Sequence, residues 1–187
     1  MEASGLQEIS NPAGLFLEER SNDASGSVVC ACLEGNRPIL VEVQALVAKT
    51  PYGMPRRTAV GFDYNRVTML LAILERRLGM DFGAYDAYVN VVGGMRVTEP
   101  AADLAVAAAL VSSYRNRPIP HGVLVMGEVG LTGEVRRIGS PERRIKDAMN
   151  LGFKRFVLPM GKLSLDEPCN GIVQVKTLEE ALDKVFA

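Results

Sequence analysis

The chain has 187 residues, 48% of them apolar, with 21 lysines and arginines against 22 acids and a net charge of −1. That length supports one domain with a proper core, and the charge balance does not make nucleic acid or a membrane surface an obligatory partner. No apolar run is long enough to cross a bilayer and no basic-then-apolar N-terminal signal is present, so a cytoplasmic location without membrane contact is expected.

Residues 1–26 read as a lead-in, in which "NPAG" is a turn and "ERSNDASGS" a polar loop; residues 27–187 read as the domain. "SVVCACLEG" and "RPILVEVQALVAK" are β-rich runs separated by "EGN", a hairpin pattern. "TPYGMPRR" is a loop and "TAVGF" a further strand. Asp63 or Asn65 caps a helix beginning near Asn65; its Val67, Leu70, Leu71 and Leu74 share one face, and Gly79 stops it. "AYVNVVGG" is a strand. "PAADLAVAAALVSSYR" is a helix with Pro100 in its first turn and alanines that permit close packing. "HGVLVMGEV" is a strand, "GLTGEV" a turn, and "PERRIKDAMNLG" a helix led by Pro141. "RFVLP" and "GIVQV" are strands, and Thr177 caps a final helix in "TLEEALDKVFA". A hairpin followed by alternating helices and strands predicts an α+β or mixed α/β domain in two layers.

Several chemistries lack their residues. Cys30, Cys32 and Cys169 do not have zinc spacing, and His121 is the single histidine, in a loop; buried free thiols are expected and no metal site. Gly93–Gly94 lacks the dinucleotide-binding spacing, and no Gly-x4-Gly-Lys-Ser/Thr stretch exists. Asp63 and Asp86 are too scattered to hold a metal. Charge is uneven along the chain. Glu2, Glu8, Glu18, Glu19 and Asp23 face only Arg20 at the start, whereas residues 115–155 are rich in arginine.

The stretch "GGMRVTEPAADLAVAAAL" feeds a loop into a helix N-terminus, a favoured place for nucleophiles and anion sites. The residues after its proline are Ala101 and Ala102. Ser112 and Ser113 lie about three turns further along the helix, and Ser140 suits helix capping before Pro141. Asp103 and Glu99 flank Ala101, and a carboxylate in the first turn complements the helix dipole.

Together with "GEVGLTGEVRRIG" and "RRIKDAMNLGFKRFVLP", this stretch resembles the proteolytic domain of the Lon family. The resemblance implies a Lon-like, ribosomal-protein-type two-layer fold. It also puts a nucleophilic serine at the position of Ala101 and a base lysine at or beside Glu142. A methyl group cannot attack a carbonyl, and Arg143 and Arg144 stay protonated, so no catalytic residue and no peptidase activity are expected. From Gly5 to Ala181 the motifs "GLQEISNP", "EGNRPILVEVQALV", "PRRTAVGFDYNR", "LLAILERR" and "VNVVGGMRVTEPAADLAVAAALVSSYRNRPIP" resemble, in order, the C-terminal domain of the RadA (Sms) family of bacterial DNA-repair proteins.

That family resemblance implies a module of a ring-shaped, DNA-dependent ATPase acting in recombinational repair and branch migration. Its partners would be copies of itself, six around a ring, DNA, and recombination proteins such as RecA. ATP, magnesium and zinc would belong to N-terminal domains that this chain does not carry, so it reads as an isolated C-terminal fragment without a cofactor of its own. Arginines in loops can neutralise phosphates, which makes Lys49, Arg56, Arg57 and Arg66, and separately Arg136 and Arg137, the DNA-binding candidates. The alternatives are a Lon-family peptidase with an unusual nucleophile and a pure oligomerisation scaffold whose arginines pair between subunits.

Overall fold

A computed structural model describes residues 24–51, 53–165 and 168–187; the predicted lead-in up to residue 23 lies outside them. β1 (Ser27–Glu34) and β2 (Arg37–Lys49) form the expected hairpin across Gly35 and Asn36. β3 (Arg57–Val60), β4 (Tyr85–Val91), β5 (Val123–Val125), β8 (Arg155–Pro159) and β9 (Ile172–Val175) complete a seven-stranded sheet in the order β3-β4-β2-β1-β5-β8-β9. β2 alone runs against the other six. It is also long enough to serve two ladders. β1 pairs with its residues 37–44 and β4 with its residues 43–49, so the ladders overlap only at Val43 and Gln44. β6 (Glu128–Val129) and β7 (Val135–Arg136) form a separate small hairpin.

The helices arise where the sequence punctuates them. Asp63 accepts the Arg66 N–H at 2.8 Å to start α1 (Tyr64–Leu78), and Gly79, at φ 65°, ends it. Pro100–Ala102 forms a 3-10 turn that leads into α2 (Asp103–Arg115). Every residue of α2 from Asp103 to Ser112 is buried, which only its alanines make compatible with close approach to β1 and β2. α3 (Pro141–Asn150) and α4 (Leu178–Val185) follow, the last capped by Thr177.

α1, α2 and α4 pack on one face of the sheet, against Val28, Cys30, Val41 and Val43. α3 packs on the other, against Val29, Ala31, Leu40 and Phe156. The predicted two layers therefore hold only for the β3–β4 half, where Leu46 and Val60 stay 59% and 53% exposed. The β5–β8 half has three layers. Its parallel strands are apolar on both sides and need cover on both.

Two local readings need correction. "HGVLVMGEV" is not one strand. It breaks after Val125, because Gly127 leaves the sheet to donate to the Ala101 carbonyl (2.8 Å) and accept from Leu104 N–H (3.0 Å). Ser140 makes no capping bond; its backbone is left-handed (φ 51°), not the extended conformation a capping hydroxyl needs.

Candidate functional site

Because six strands share one direction, their C-terminal ends converge, and in open α/β sheets that end forms the natural crevice. The segment from Val92 to Ala102, the β6–β7 hairpin and the start of α3 gather there. Ala101 sits at the head of α2, 2% exposed, with its carbonyl taken by Gly127.

Two arginine–carboxylate pairs bracket Ala101. Glu99 accepts the Leu33 N–H at 2.9 Å and holds Arg144 through both carboxylate oxygens. Arg144 is fully buried and also donates to the carbonyls of Ala31 (2.6 Å) and Gly139 (2.8 Å). On the other side Asp103, with a fully buried side chain, accepts Arg66 Nε at 2.7 Å, a second bond from Arg66 Nη2, and the Val129 N–H at 3.1 Å. Burial pushes the Asp103 carboxyl above its ordinary value, and the Arg66 bonds pull it back. The same contact raises the Arg66 guanidinium. Both carboxylates are thus engaged by fixed cations, which leaves neither as a ready proton acceptor.

The remaining protease-type groups are spent elsewhere. Glu142, half-buried, accepts the Ser164 N–H at 3.3 Å. Ser112 accepts from Gly26 N–H (2.8 Å) and donates to the Arg117 carbonyl (2.6 Å), and Ser113 accepts from Val47 N–H (2.8 Å), both at the far end of α2. Cys30 and Cys32 share a strand face as expected, Sγ to Sγ 3.6 Å; Cys169 is free too but only half-buried. The hydrogen bond between the two thiols and burial raise Cys30. Among the described residues no group of three or more His, Cys, Asp or Glu could hold a metal.

The DNA-binding candidates fall at opposite ends of the sheet. Lys49 closes β2, and Arg56 stands just before Arg57, which opens β3; both strand ends flank the start of β4. Lys49 and Arg56 are exposed. Arg57 turns inward to the carbonyls of Tyr85 and Phe82 (2.7 Å to the latter). Asp86 lies in this cluster, held below its ordinary value first by the Arg56 N–H (2.8 Å) and then by the Thr50 hydroxyl. Arg66, Arg136 and Arg137 are at the other end. Arg66 pairs with Asp103; Arg136 pairs with Glu134 at 2.6 Å; Arg137 donates to the Met160 carbonyl at 3.3 Å. The pairing of Asp103 and the burial of Arg144 were missed from the sequence. A charge inside an unbroken apolar helix was the available signal, since such a charge must find a partner.

Over residues 43–162 the chain matches the family described as subunit ChlI of Mg-chelatase. The chain belongs to that family. Among curated relatives it is 48% identical to the DNA repair protein RadA of Halalkalibacterium halodurans, over 98% of this chain and 40% of that protein. It is 49% identical to RadA of Pseudomonas aeruginosa, over 100% and 41%, and 44% identical to RadA of Streptococcus pneumoniae, over 100% and 45%. The chain thus spans about two fifths of the length of the relatives it matches, and these relatives bear out the resemblance to RadA carried by its motifs. No helix among the described residues is long and apolar enough to cross a membrane.

Proposed function

We propose that this chain acts as a non-catalytic, Lon-like assembly and DNA-binding module of a RadA-type, ATP-dependent DNA-repair protein working in recombination and branch migration in the cytoplasm. The carrying observation is the head of α2. A buried methyl group stands where the Lon resemblance puts a nucleophile, and Glu99 and Asp103 on either side are tied to Arg144 and Arg66. The name of the relatives, DNA repair protein RadA, supports the process. ATP, magnesium and zinc belong to other domains of the whole protein, and copies of the chain close into a ring, with RecA-type proteins as further partners.

Lys49 and Arg56 are the foremost phosphate contacts, because they are exposed and form no ion pair within 4 Å among the described residues. Contact through so few cations is weak and sequence-independent, and a ring multiplies it. The test is fluorescence anisotropy of two unrelated duplexes across a salt series. Lys49→Glu/Arg56→Glu should weaken both duplexes alike and flatten the log–log salt slope by about one per lost phosphate contact. Arg136→Glu/Arg137→Glu should act less, since Arg136 already has Glu134. If neither double variant moves the curves while sedimentation shows the assembly intact, the module is a scaffold without DNA contact. Cleavage of casein by the chain, abolished by changing one of its serines, would instead make it a peptidase.

A further inference from the structure

A cleft of about 280 Å³ opens between the first turn of α3 and residues 158–163. Its floor is apolar, formed by Ile138, Pro141, Leu158, Pro159 and Leu163, and its rim carries Arg137 and Lys162. A second cleft of about 260 Å³ continues along the same helix, past Arg143 and Lys146 to Met149 and Leu165. Glu142 belongs to both and is the one acid among their described lining residues.

The cations here differ from the other arginines at this end of the sheet. Arg66, Arg136 and Arg144 each hold a carboxylate. Arg137 and Arg143 reach only carbonyls, of Met160 (3.3 Å) and Asn36 (2.7 Å), and with Lys162 they meet no carboxylate among the described residues. The one acid, Glu142, is itself turned to the Ser164 N–H. An apolar trough whose described rim carries Arg137, Arg143 and Lys162 is complementary to a ligand that is apolar on one side and anionic on the other.

We infer that this paired cleft binds an acidic peptide segment of a partner protein, seating its apolar side chains on the two floors and its carboxylates against Arg137, Lys162 and Arg143. Two apolar floors in line suit an extended chain, whose alternate side chains point the same way. Nucleic acid fits less well. No aromatic side chain is among the described lining residues to stack on a base, and a phosphate backbone leaves the apolar floors uncovered. The site uses neither Lys49 nor Arg56, the foremost phosphate contacts proposed above, and shares with the DNA candidates only Arg137.

The test uses the full chain and fluorescein-labelled ten-residue peptides alternating Asp–Leu, Asp–Ser and Lys–Leu, followed by anisotropy at moderate salt. The Asp–Leu peptide should bind at least tenfold more tightly than either of the others. Lys162→Glu, a surface change, and Leu163→Asp should each weaken it about tenfold, while Lys154→Glu, an exposed charge outside both clefts, should leave it unchanged; circular dichroism confirms that the variants are folded. Equal binding of the Asp–Ser peptide would reduce the site to a general anion surface and overturn the inference. So would undiminished binding by folded Lys162→Glu and Leu163→Asp, or no binding of the Asp–Leu peptide at all.

Discussion

Among the described residues, every arginine–carboxylate ion pair lies at one end of the sheet. At the C-terminal end of the parallel strands, Arg66, Arg136 and Arg144 each carry a carboxylate, and Arg144 does so with no exposed surface at all. At the other end Lys49 and Arg56 stand in solvent, and the nearby acid, Asp86, is occupied by the Arg56 backbone and the Thr50 hydroxyl. Arginine-rich stretches of similar appearance therefore do different work. Arg66 and Arg144 hold the head of α2 in place around Ala101, and Arg136 braces its own hairpin; Lys49 and Arg56 stay exposed. A basic cluster in a sequence becomes a binding surface only where the topology leaves its charged groups outside close ion pairs.

The comparison breaks most visibly at Arg144. Arg144→Met should cost roughly 3–5 kcal/mol, because Glu99 loses its cation while still partly enclosed and the Ala31 and Gly139 carbonyls lose a donor. Urea unfolding measures it, and adding Glu99→Gln should recover part of the loss; a cost below about 1 kcal/mol would mean the pair is not a fastening. A smaller effect separates two neighbours at the opposite end. Arg57→Ala should cost about 1–3 kcal/mol through its lost carbonyl bonds to Phe82 and Tyr85, whereas Arg56→Ala should stay within about 0.5 kcal/mol. Equal costs would erase the distinction between a clamp and an exposed cation.

The smallest effect is a pH dependence at the β6–β7 hairpin. Glu134 is lowered from 4.5 to about 2, first by the Thr132 hydroxyl, then by a backbone N–H and the Arg136 guanidinium. A folded value below the unfolded one means a contribution present in full above pH 4.5 and lost as pH falls toward 2. Glu134→Gln should therefore flatten the fall of melting temperature in that window and leave the pH 6–7 slope alone. Asp103, raised by burial, acts in the contrary sense, since protonation on the way down relieves its desolvation.

Most elements were legible because their boundaries are local. Asp63, Gly79, Pro100, Pro141 and Thr177 mark helix ends through backbone chemistry within a few residues. The place of Ala101 was legible too, since Pro100 starts the turn that leads into a buried, alanine-rich helix. The ion pairs around it were not, because Glu99 meets Arg144 across 45 positions and Arg66 meets Asp103 across 37, separations that only the sheet order closes. The third layer was hidden for the same reason: the amphipathic pattern of α3 states that it buries a face but not which side of the sheet receives it. Ser140 was misread because a left-handed backbone at a serine leaves no trace in composition.

The narrow overlap of the two ladders along β2 bears on how the molecule opens. Val43 and Gln44 are the only residues of β2 bonded into both the β1 and the β4 ladders, so one ladder can separate without stripping the other from its template. The β3–β4 side, lacking a third layer, then forms a lower-energy unit of local unfolding than the β1–β5–β8 side. Native-state hydrogen exchange in low denaturant should release amides of Ala87 and Val89 before those of Leu124 and Phe156; release together would show that α2, which packs across both ladders, joins them into a single cooperative block.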